Sequence, residues 1–252
     1  MEYAYLVVEG PHDVEVVGKV LKSNGFKRVQ QLSKLDDYWL DIIPKNFPPE
    51  GDLLKRVSIP VFFQSNNFSV AVHSAGGITK IAKVLRLTLL NILKKENGFL
   101  SAVGVLIDAD DEEAKISCQN IIQTLGDDDL AFSNIGSPGE IIENIPRIGI
   151  HVFPNNRDKG TLEDALIQCA EVVYPEILKG ALNYVNNIDD QYRHNWGVTD
   201  EAKVIVGCIA NILKPGKANQ VSIQDNDWIS SSTLDLRPVK EITDFLKNLL
   251  RY

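Results

Sequence analysis

Runs of apolar residues alternate with amphipathic segments along most of the chain. Four runs have the length and apolar character of buried β-strands: residues 3–8 (YAYLVV), 68–77 (FSVAVHSAGG), 100–111 (LSAVGVLIDADD) and 147–156 (RIGIHVFPNN). Each run is followed by a segment with apolar residues at helical spacing. Strands that alternate with helices in this way are typical of a mainly parallel sheet with helices on both faces. The pattern therefore predicts an α/β fold.

Helical periodicity predicts the elements between and after these strands. In the first helix Val14, Val17 and Leu21 share one face, and the C-terminal segment has a strongly amphipathic pattern. We expect that last helix to pack against the sheet, with a partner surface as the alternative. The predicted helices between and after the strands cover residues 12–25, 78–98, 111–126 and 161–175; the C-terminal face carries Val239, Ile242, Phe245 and Leu249.

The pattern predicts a single domain over residues 1–252. Its core covers about 3–25 and 68–170, an inserted irregular segment covers about 26–67, and a helical C-terminal extension covers about 171–252. Prolines in the insertion argue against any long element there. They are Pro44, Pro48, Pro49 and Pro60.

The composition is typical of a folded globular protein, and we expect the protein to be cytoplasmic. Of the 252 residues, 44% are hydrophobic and 24% are charged, and no apolar run approaches the ~20 residues that span a bilayer. The N-terminus lacks the features of a signal peptide, so no membrane contact is expected. Cys118, Cys169 and Cys208 are isolated in apolar surroundings and are predicted to be buried thiols.

A net charge of −8 argues against binding of nucleic acid by bulk electrostatics, because phosphate binding normally depends on clustered Lys and Arg. Carboxylates gathered in one place can nevertheless hold divalent cations, which then supply the missing positive charge. Whether the acids converge therefore decides which chemistry is open to the chain.

Candidate functional residues follow each of the four predicted strands: acids after the first, third and fourth, and a histidine with a glycine pair at the end of the second. The carboxyl ends of parallel strands gather functional groups at one edge of the sheet. Asp108 and Asp110 are two residues apart, so in an extended segment both side chains point the same way and could share a cation. The candidates in chain order are Glu9, Asp13, His73, Gly76, Gly77, Asp108, Asp110, Glu163 and Asp164.

Each candidate also has a purely structural interpretation. Asp111, Glu112 and Glu113 are favourable charges for the first turn of a helix. The string GTLED could begin a helix, with Thr161 as N-cap and Asp164 at the third position, close to a capping box. His73 alone is more typical of a hydrogen-bonded structural histidine. The acids could therefore be only helix starts in an unrelated parallel α/β domain.

Taken in order, the strings VVEGPHD, HSAGG, LIDADD and GTLED resemble the Toprim domain, which occurs in topoisomerases, primases and several nucleases. The forms VEGPHD and GTLED are most similar to stand-alone Toprim proteins related to the overcoming-lysogenization-defect (OLD) nucleases. The resemblance covers about residues 3–166, and more loosely the rest to residue 250. It implies a Toprim-like fold and metal-dependent cleavage of phosphodiester bonds.

The resemblance also implies roles for single residues. Glu9 and Asp13 would bind one Mg²⁺ or Mn²⁺, Asp108 and Asp110 would lie between two metal sites, and Glu163 with Asp164 would hold the second ion. A lysine from a late helix would contact the phosphate. The best match for it is Lys203, with Lys159 as a competitor. Gly76 and Gly77 would let the backbone approach a phosphate closely.

Departures from the family bear on partners and on catalysis. OLD nucleases carry an ATPase, yet no G-x-x-x-x-G-K-[ST] loop exists here, so any ATPase would be a separate chain. The principal hypothesis is a nuclease acting on DNA or RNA, in a prokaryotic anti-phage or nucleic-acid maintenance system. The alternative is a non-catalytic Toprim-like subunit that binds a partner protein or a nucleic-acid end. The choice between DNA and RNA and any homo-oligomer stay open.

Overall fold

A mixed β-sheet forms the centre of the protein. The computed structural model describes residues 1–45, 51, 53, 58–93, 98–126 and 130–252. Within these residues seven strands form one sheet in the order β2-β3-β4-β1-β5-β7-β6. The strands are β1 Glu2–Val8, β2 Lys27–Val29, β3 Val61–Gln64, β4 Phe68–Ser74, β5 Leu100–Asp108, β6 Ile141–Ile142 and β7 Arg147–Phe153.

The four strands predicted from the apolar runs form the parallel centre of this sheet. β1 pairs in parallel with β4 and β5, and β5 pairs in parallel with β7. Their registers place Val8 beside Ser74 and Leu106, and Asp108 beside Phe153. The carboxyl ends of all four strands therefore meet at one edge, as the sequence predicted.

The predicted irregular insertion contributes more to the sheet than expected. β2 and β3 both lie within it and add two antiparallel strands beyond β4. They are three and four residues long, and segments this short do not show the alternating apolar pattern that predicts a strand. Pro48 and Pro49, which suggested a break, lie outside the described residues. At the other edge the two-residue β6 was also missed.

Helices cover both faces of the sheet, so the predicted fold class is confirmed. One face packs against α1, α4, α5, α7, α8 and α9, and the other against α2 and α3. The helices are α1 Pro11–Ser23, α2 Ile81–Ile92, α3 Ala114–Leu125, α4 Leu162–Val173, α5 Pro175–Asn186, α6 Asp190–Arg193, α7 Asp200–Leu213, α8 Asn219–Asp225 and α9 Arg237–Leu250.

Two predicted helices begin later than expected. The segment after β4 starts with a 3-10 turn, Ile78–Lys80, before α2, and the end of its predicted span, at 94–97, lies outside the described residues. α3 begins at Ala114 with Glu113 as its N-cap, so Asp111, Glu112 and Glu113 precede the first turn instead of occupying it. Glu112 instead accepts a hydrogen bond from Asn120.

The C-terminal region is helical, as predicted, and its last helix packs against the sheet. Val239, Ile242, Phe245 and Leu249 of α9 are all buried in the same apolar core as the inner face of the sheet. Arg147 of β7 donates hydrogen bonds to the carbonyls of Leu249 and Leu250, which fixes the end of α9. The partner-surface interpretation of that face is therefore wrong.

Two smaller observations bear on the sequence predictions. Cys118 and Cys169 are buried as expected, whereas Cys208 is only half-buried. In the described part of the chain, none of the helices is long and apolar enough to cross a membrane.

Candidate functional site

An open cleft of about 300 Å³ lies at the carboxyl ends of the parallel strands. Four carboxylates line it: Glu9 after β1, Asp13 in the first turn of α1, Asp108 at the end of β5, and Glu163 in the first turn of α4. We call this the acid cleft. Two separate strand ends and two helix starts bring these groups together, which a sequence pattern alone could only suggest.

Long-range hydrogen bonds from the main chain position Glu9 and Asp108. Glu9 accepts from the backbone N–H of Asp108 at 2.9 Å, which ties the end of β1 to the end of β5. Asp108 in turn accepts from the backbone N–H of Leu162 at 2.8 Å, at the first residue of α4. Each carboxylate keeps a second oxygen for another partner. The chain of contacts fixes the spacing of the cleft walls.

Asp13 has an oxygen that no described group satisfies. The side chain is only 5% exposed, and one oxygen accepts from the backbone N–H of Gly10 at 2.9 Å. The other oxygen is buried without a hydrogen-bond partner among the described residues. Because an unsatisfied buried carboxylate oxygen is costly, such an atom indicates a missing partner that is a proton or a cation.

His12 belongs to this site, although the sequence analysis did not single it out. Its Nδ1 lies 3.0 Å from Glu163 Oε1, and the ring lines the acid cleft beside Asp13. The signal was available in the string VEGPHD, where a histidine directly precedes a candidate acid at the start of a helix. His12 holds Glu163 in orientation from across the cleft.

The carboxylates raise one another's pKa. Burial, then the negative charges of Asp13, Glu9 and Glu163, holds the pKa of Asp108 well above its usual range. Burial and the charge of Glu9 raise the pKa of Asp13 to about 7. Burial raises the pKa of Glu9 as well, although the N–H of Asp108 opposes it. The acid cleft is therefore short of positive charge.

Glu163 differs from its neighbours in the direction of its pKa shift. Burial acts to raise the pKa of Glu163, but the hydrogen bond and charge of His12, together with hydrogen bonds from the main chain and from Thr161, hold the pKa below its ordinary value. Glu163 is thus the member of the group that stays ionised most readily.

Lys203 is the predicted lysine that reaches the acid cleft. It projects from α7, lines the cleft, and its charge lowers the pKa of both Glu9 and Asp110. Its Nζ also donates to Thr199 Oγ1 at 3.2 Å, and the side chain is half exposed. Lys159, the competitor, lies instead in a neighbouring cleft of about 300 Å³.

Asp110 and Asp164 face that neighbouring cleft rather than the acid cleft. The assumption of an extended segment was wrong, because Asp110 has a left-handed φ of 54° and its main chain bonds Gly160. Burial raises the pKa of Asp110, and the negative charges of Asp111 and Glu163 add to the effect while Lys203 opposes it. Asp164 completes a capping box with Thr161, accepting from its N–H at 2.7 Å.

The glycine pair lines the acid cleft but does not offer its N–H groups to a ligand. Gly76 and Gly77 have φ values of 74° and 122°, and both N–H groups donate to the carbonyl of Glu9, at 2.9 and 3.0 Å. This turn secures the end of β1. Any contact with a phosphate would therefore be made without these two donors.

His73 has a structural environment. Its Nδ1 lies 2.7 Å from the hydroxyl of Tyr5 and its Nε2 lies 3.0 Å from the carbonyl of Ser58. Burial lowers the pKa of His73, which favours the neutral ring. The structural interpretation of this residue is the one its contacts support.

Comparison with known proteins places the chain in a family. A family model described as "Protein of unknown function (DUF3226)" matches residues 3–251. The chain belongs to this family. No curated protein matches the sequence. Among solved structures, the hypothetical protein PH0156 from Pyrococcus horikoshii OT3 is similar over 100% of this DUF3226 chain and 97% of its own, with 15% identity and a TM-score of 0.47.

The acid cleft of this DUF3226 protein offers only hard oxygen donors and one imidazole. Such a set suits Mg²⁺ or Mn²⁺ better than zinc. Among the described residues no group of three or more His, Cys, Asp or Glu side chains is arranged to hold a metal ion as it stands. Binding of a metal ion here would therefore require the carboxylates of the acid cleft to change their side-chain conformation.

Proposed function

We propose that this protein is a metal-dependent nuclease that cleaves phosphodiester bonds of DNA or RNA in the acid cleft. The observation that carries the proposal is the convergence of Glu9, Asp13, Asp108 and Glu163, with a buried oxygen of Asp13 that has no hydrogen-bond partner in the described part of the chain. A group of buried carboxylates with raised pKa values is costly unless cations complete it. Phosphate chemistry is a use to which such cations are commonly put.

The donor set fits Mg²⁺ or Mn²⁺, with Glu9, Asp13, Asp108 and Glu163 as the residues that would hold the ions. Bound divalent cations supply charge neutralisation of the phosphate and an activated water. Asp110 lines the neighbouring cleft, but its charge acts on Glu9, so it would add to the negative potential felt by the same ions. Asp164 serves the helix start and is not needed as a ligand.

Side chains of the protein contribute the remaining functions. Lys203 offers its ammonium group to a non-bridging phosphate oxygen at the mouth of the cleft, where it already interacts with Glu9 and Asp110. His12 orients Glu163 through the 3.0 Å contact.

The Toprim resemblance of VVEGPHD, HSAGG, LIDADD and GTLED supports the same proposal. The strings fall at the carboxyl ends of β1, β4, β5 and β7, which is the edge where the acid cleft lies. On this reading the protein works in the cytoplasm, in anti-phage defence or nucleic-acid maintenance, and any ATPase that it needs is a separate chain.

A cleavage assay tests the proposal directly. Labelled single-stranded, duplex and hairpin DNA and RNA are incubated with purified protein and Mn²⁺ or Mg²⁺. We expect metal-dependent cleavage of at least one substrate, which EDTA abolishes. Asp108→Asn and Glu9→Gln should reduce it to background because they remove two of the converging charges.

Matched variants serve as controls for this assay. Asp235→Asn and Glu171→Gln make the same chemical changes at exposed positions away from the acid cleft and should cleave like the wild type. If the wild type and Asp108→Asn behave alike on every substrate, the nuclease proposal fails. Mn²⁺ binding without cleavage, even with candidate ATPase partners added, would instead support the non-catalytic subunit.

A further inference from the structure

A groove of about 440 Å³ lies beside the edge strand β2, far from the acid cleft. Its described lining contains Lys27, Arg28 and Lys34 and no carboxylate. We call it the edge groove. A cationic surface of this size contrasts with the net charge of −8 of the whole chain. The edge groove therefore attracts anions locally, against the sign of the protein as a whole.

Two of the three cations are available to a ligand. Arg28 is committed to Glu15, with contacts of 2.8 and 3.0 Å between the guanidinium and the carboxylate. Lys27 and Lys34 are exposed, and neither forms an ion pair with another described residue. The free positive charge of the edge groove thus comes from these two lysines.

The other polar side chains of the edge groove match the oxygens of a phosphate. Gln30, Gln31, Gln64, Ser65 and Asn66 can each donate a hydrogen bond, and so can the lysines. A phosphodiester strand presents an acceptor-only anion in every unit. An acidic peptide is the competing ligand, since its N–H groups could donate to the amide and hydroxyl oxygens of the same side chains, and the competition experiment below separates the two.

Strand register separates the edge groove from the acid cleft. Lys27 pairs with Gln64 of β3, and Gln64 pairs with Ser69 near the start of β4. The acid cleft lies at the other end of β4, beyond Ser74. With a rise of ~3.3 Å per residue and ~4.8 Å between strands, the two sites are on the order of 20–25 Å apart.

We propose that the edge groove binds the phosphodiester backbone of a single-stranded nucleic acid, through Lys27, Lys34 and the amide side chains beside them. The inference goes beyond the proposed nuclease activity because binding here requires neither metal nor cleavage. A strand held in the edge groove could extend toward the acid cleft, so the two sites can act on one molecule. Binding is sequence-independent because only the backbone is contacted.

Fluorescence anisotropy in EDTA tests the proposal, with a labelled single-stranded oligonucleotide of about 30 nucleotides as DNA and as RNA. Lys27→Ala/Lys34→Ala should weaken binding roughly tenfold or more at low salt and reduce the slope of log K against log salt by about 1.4. The control Lys179→Ala/Lys247→Ala removes two exposed lysines from α5 and α9 and should leave both quantities close to wild type.

Three results would overturn the proposal. They are wild-type affinity in Lys27→Ala/Lys34→Ala, an equal loss in the control variant, and displacement of the oligonucleotide by polyglutamate as effectively as by unlabelled oligonucleotide. If the wild type binds the oligonucleotide through Lys27 and Lys34 but cleaves no substrate, the nuclease proposal fails and the edge-groove proposal stands. If the wild type cleaves but Lys27→Ala/Lys34→Ala binds the oligonucleotide like the wild type, the edge-groove proposal fails and the nuclease proposal stands.

Discussion

At the scale of single residues, the carboxylates of the acid cleft lower the stability of the metal-free protein. Asp108 and Asp13 are buried beside other carboxylates, and Asp13 keeps an oxygen without a partner among the described residues. A folded protein built only for stability would place apolar or paired groups at such positions. The arrangement makes sense if a cation completes it.

Neutralising one of these carboxylates should therefore raise the stability of the metal-free protein. Asp108→Asn keeps the acceptor for the N–H of Leu162 but removes a buried negative charge, so the metal-free protein should become more stable. We expect the melting temperature in EDTA to rise by about 2–4 °C, the shift that ~1 kcal/mol produces in a domain of this size. Differential scanning calorimetry measures it.

Added Mn²⁺ should reverse the order of the two proteins. The wild type should melt at a higher temperature with Mn²⁺ because binding favours the folded state, whereas Asp108→Asn should respond little. Asp235→Asn serves as the matched control and should follow the wild type in both conditions. A melting temperature for Asp108→Asn below that of the wild type in EDTA would show that the acids do not strain the fold.

His12 leads to a second prediction at this scale. His12→Ala removes the contact that holds Glu163 in orientation and lowers its pKa. Mn²⁺ affinity should fall about 10- to 100-fold, as it does when outer partners of metal ligands are lost. Isothermal titration calorimetry measures it, with His194→Ala, at an exposed position outside the cleft, as the control. Unchanged affinity in His12→Ala would remove His12 from the site.

At the scale of elements, the turn before α4 positions the start of that helix beside the acid cleft. Gly160 has a φ of 124°, and its main chain exchanges hydrogen bonds with Asp110. A Cβ added there would lie 2.7 Å from Asp164 Oδ2, within the capping box. Glycine is the residue that tolerates both the left-handed backbone and the close approach of Asp164. The turn also directs the N–H of Leu162 toward Asp108.

Substitution of two glycines should therefore have opposite effects. Gly160→Ala should destabilise the protein by about 1–3 kcal/mol, because of the left-handed backbone and the close contact. Gly180→Ala, in the middle of α5 with nothing within 4 Å of the new Cβ, should stabilise it by about 0.5–1 kcal/mol. Urea denaturation compares the two. A stability loss of similar size in both variants would contradict the structural account of Gly160.

The sequence predicted long periodic elements well and short or bent ones poorly. The apolar runs of β1, β4, β5 and β7 and the face of α9 carry enough residues to define a period. The three residues of β2 and the two of β6 do not, and their pairing depends on neighbours distant in sequence. The direction of Asp110 depended on its backbone conformation, which the bridge to Gly160 sets.

The candidate site was predicted in part for similar reasons. Strand order brings Glu9, Asp13, Asp108 and Glu163 together, and the rule that parallel strands present their carboxyl ends at one edge was enough to name them. His12 was missed because its role depends on a contact with Glu163, 151 positions away. The committed N–H groups of Gly76 and Gly77 could likewise not be seen in a pattern.

At the scale of the whole molecule, a histidine outside the acid cleft makes the free energy of unfolding depend on pH. His151 of β7 is fully buried between Phe153 and Phe245, and burial lowers its pKa to about 3. The unfolded chain takes up a proton below about pH 6.5, but the folded protein does not until about pH 3. This contribution to stability is therefore complete above pH 6.5 and is lost as the pH falls.

Replacing His151 isolates that contribution from the opposite effect of the acid cleft. Between pH 7 and 4.5 the free energy of unfolding of the wild type should fall by about 2.5 kcal/mol more than that of His151→Gln. Urea denaturation at the two pH values provides both numbers. His194→Gln, at an exposed position, should show the wild-type difference. Equal pH dependence in wild type and His151→Gln would mean that His151 is protonated in the folded protein.

A crystal structure with Mn²⁺ would show whether the acid cleft holds divalent cations, as we propose. We expect anomalous difference peaks between Glu9, Asp13, Asp108 and Glu163, with two ions about 3.5–4 Å apart and one of them in contact with Asp13 Oδ1. Asp108→Asn should show no peaks. Crystals soaked in Mn²⁺ with no anomalous peak in the acid cleft, and with its carboxylates unmoved, would mean that the cleft does not bind these ions.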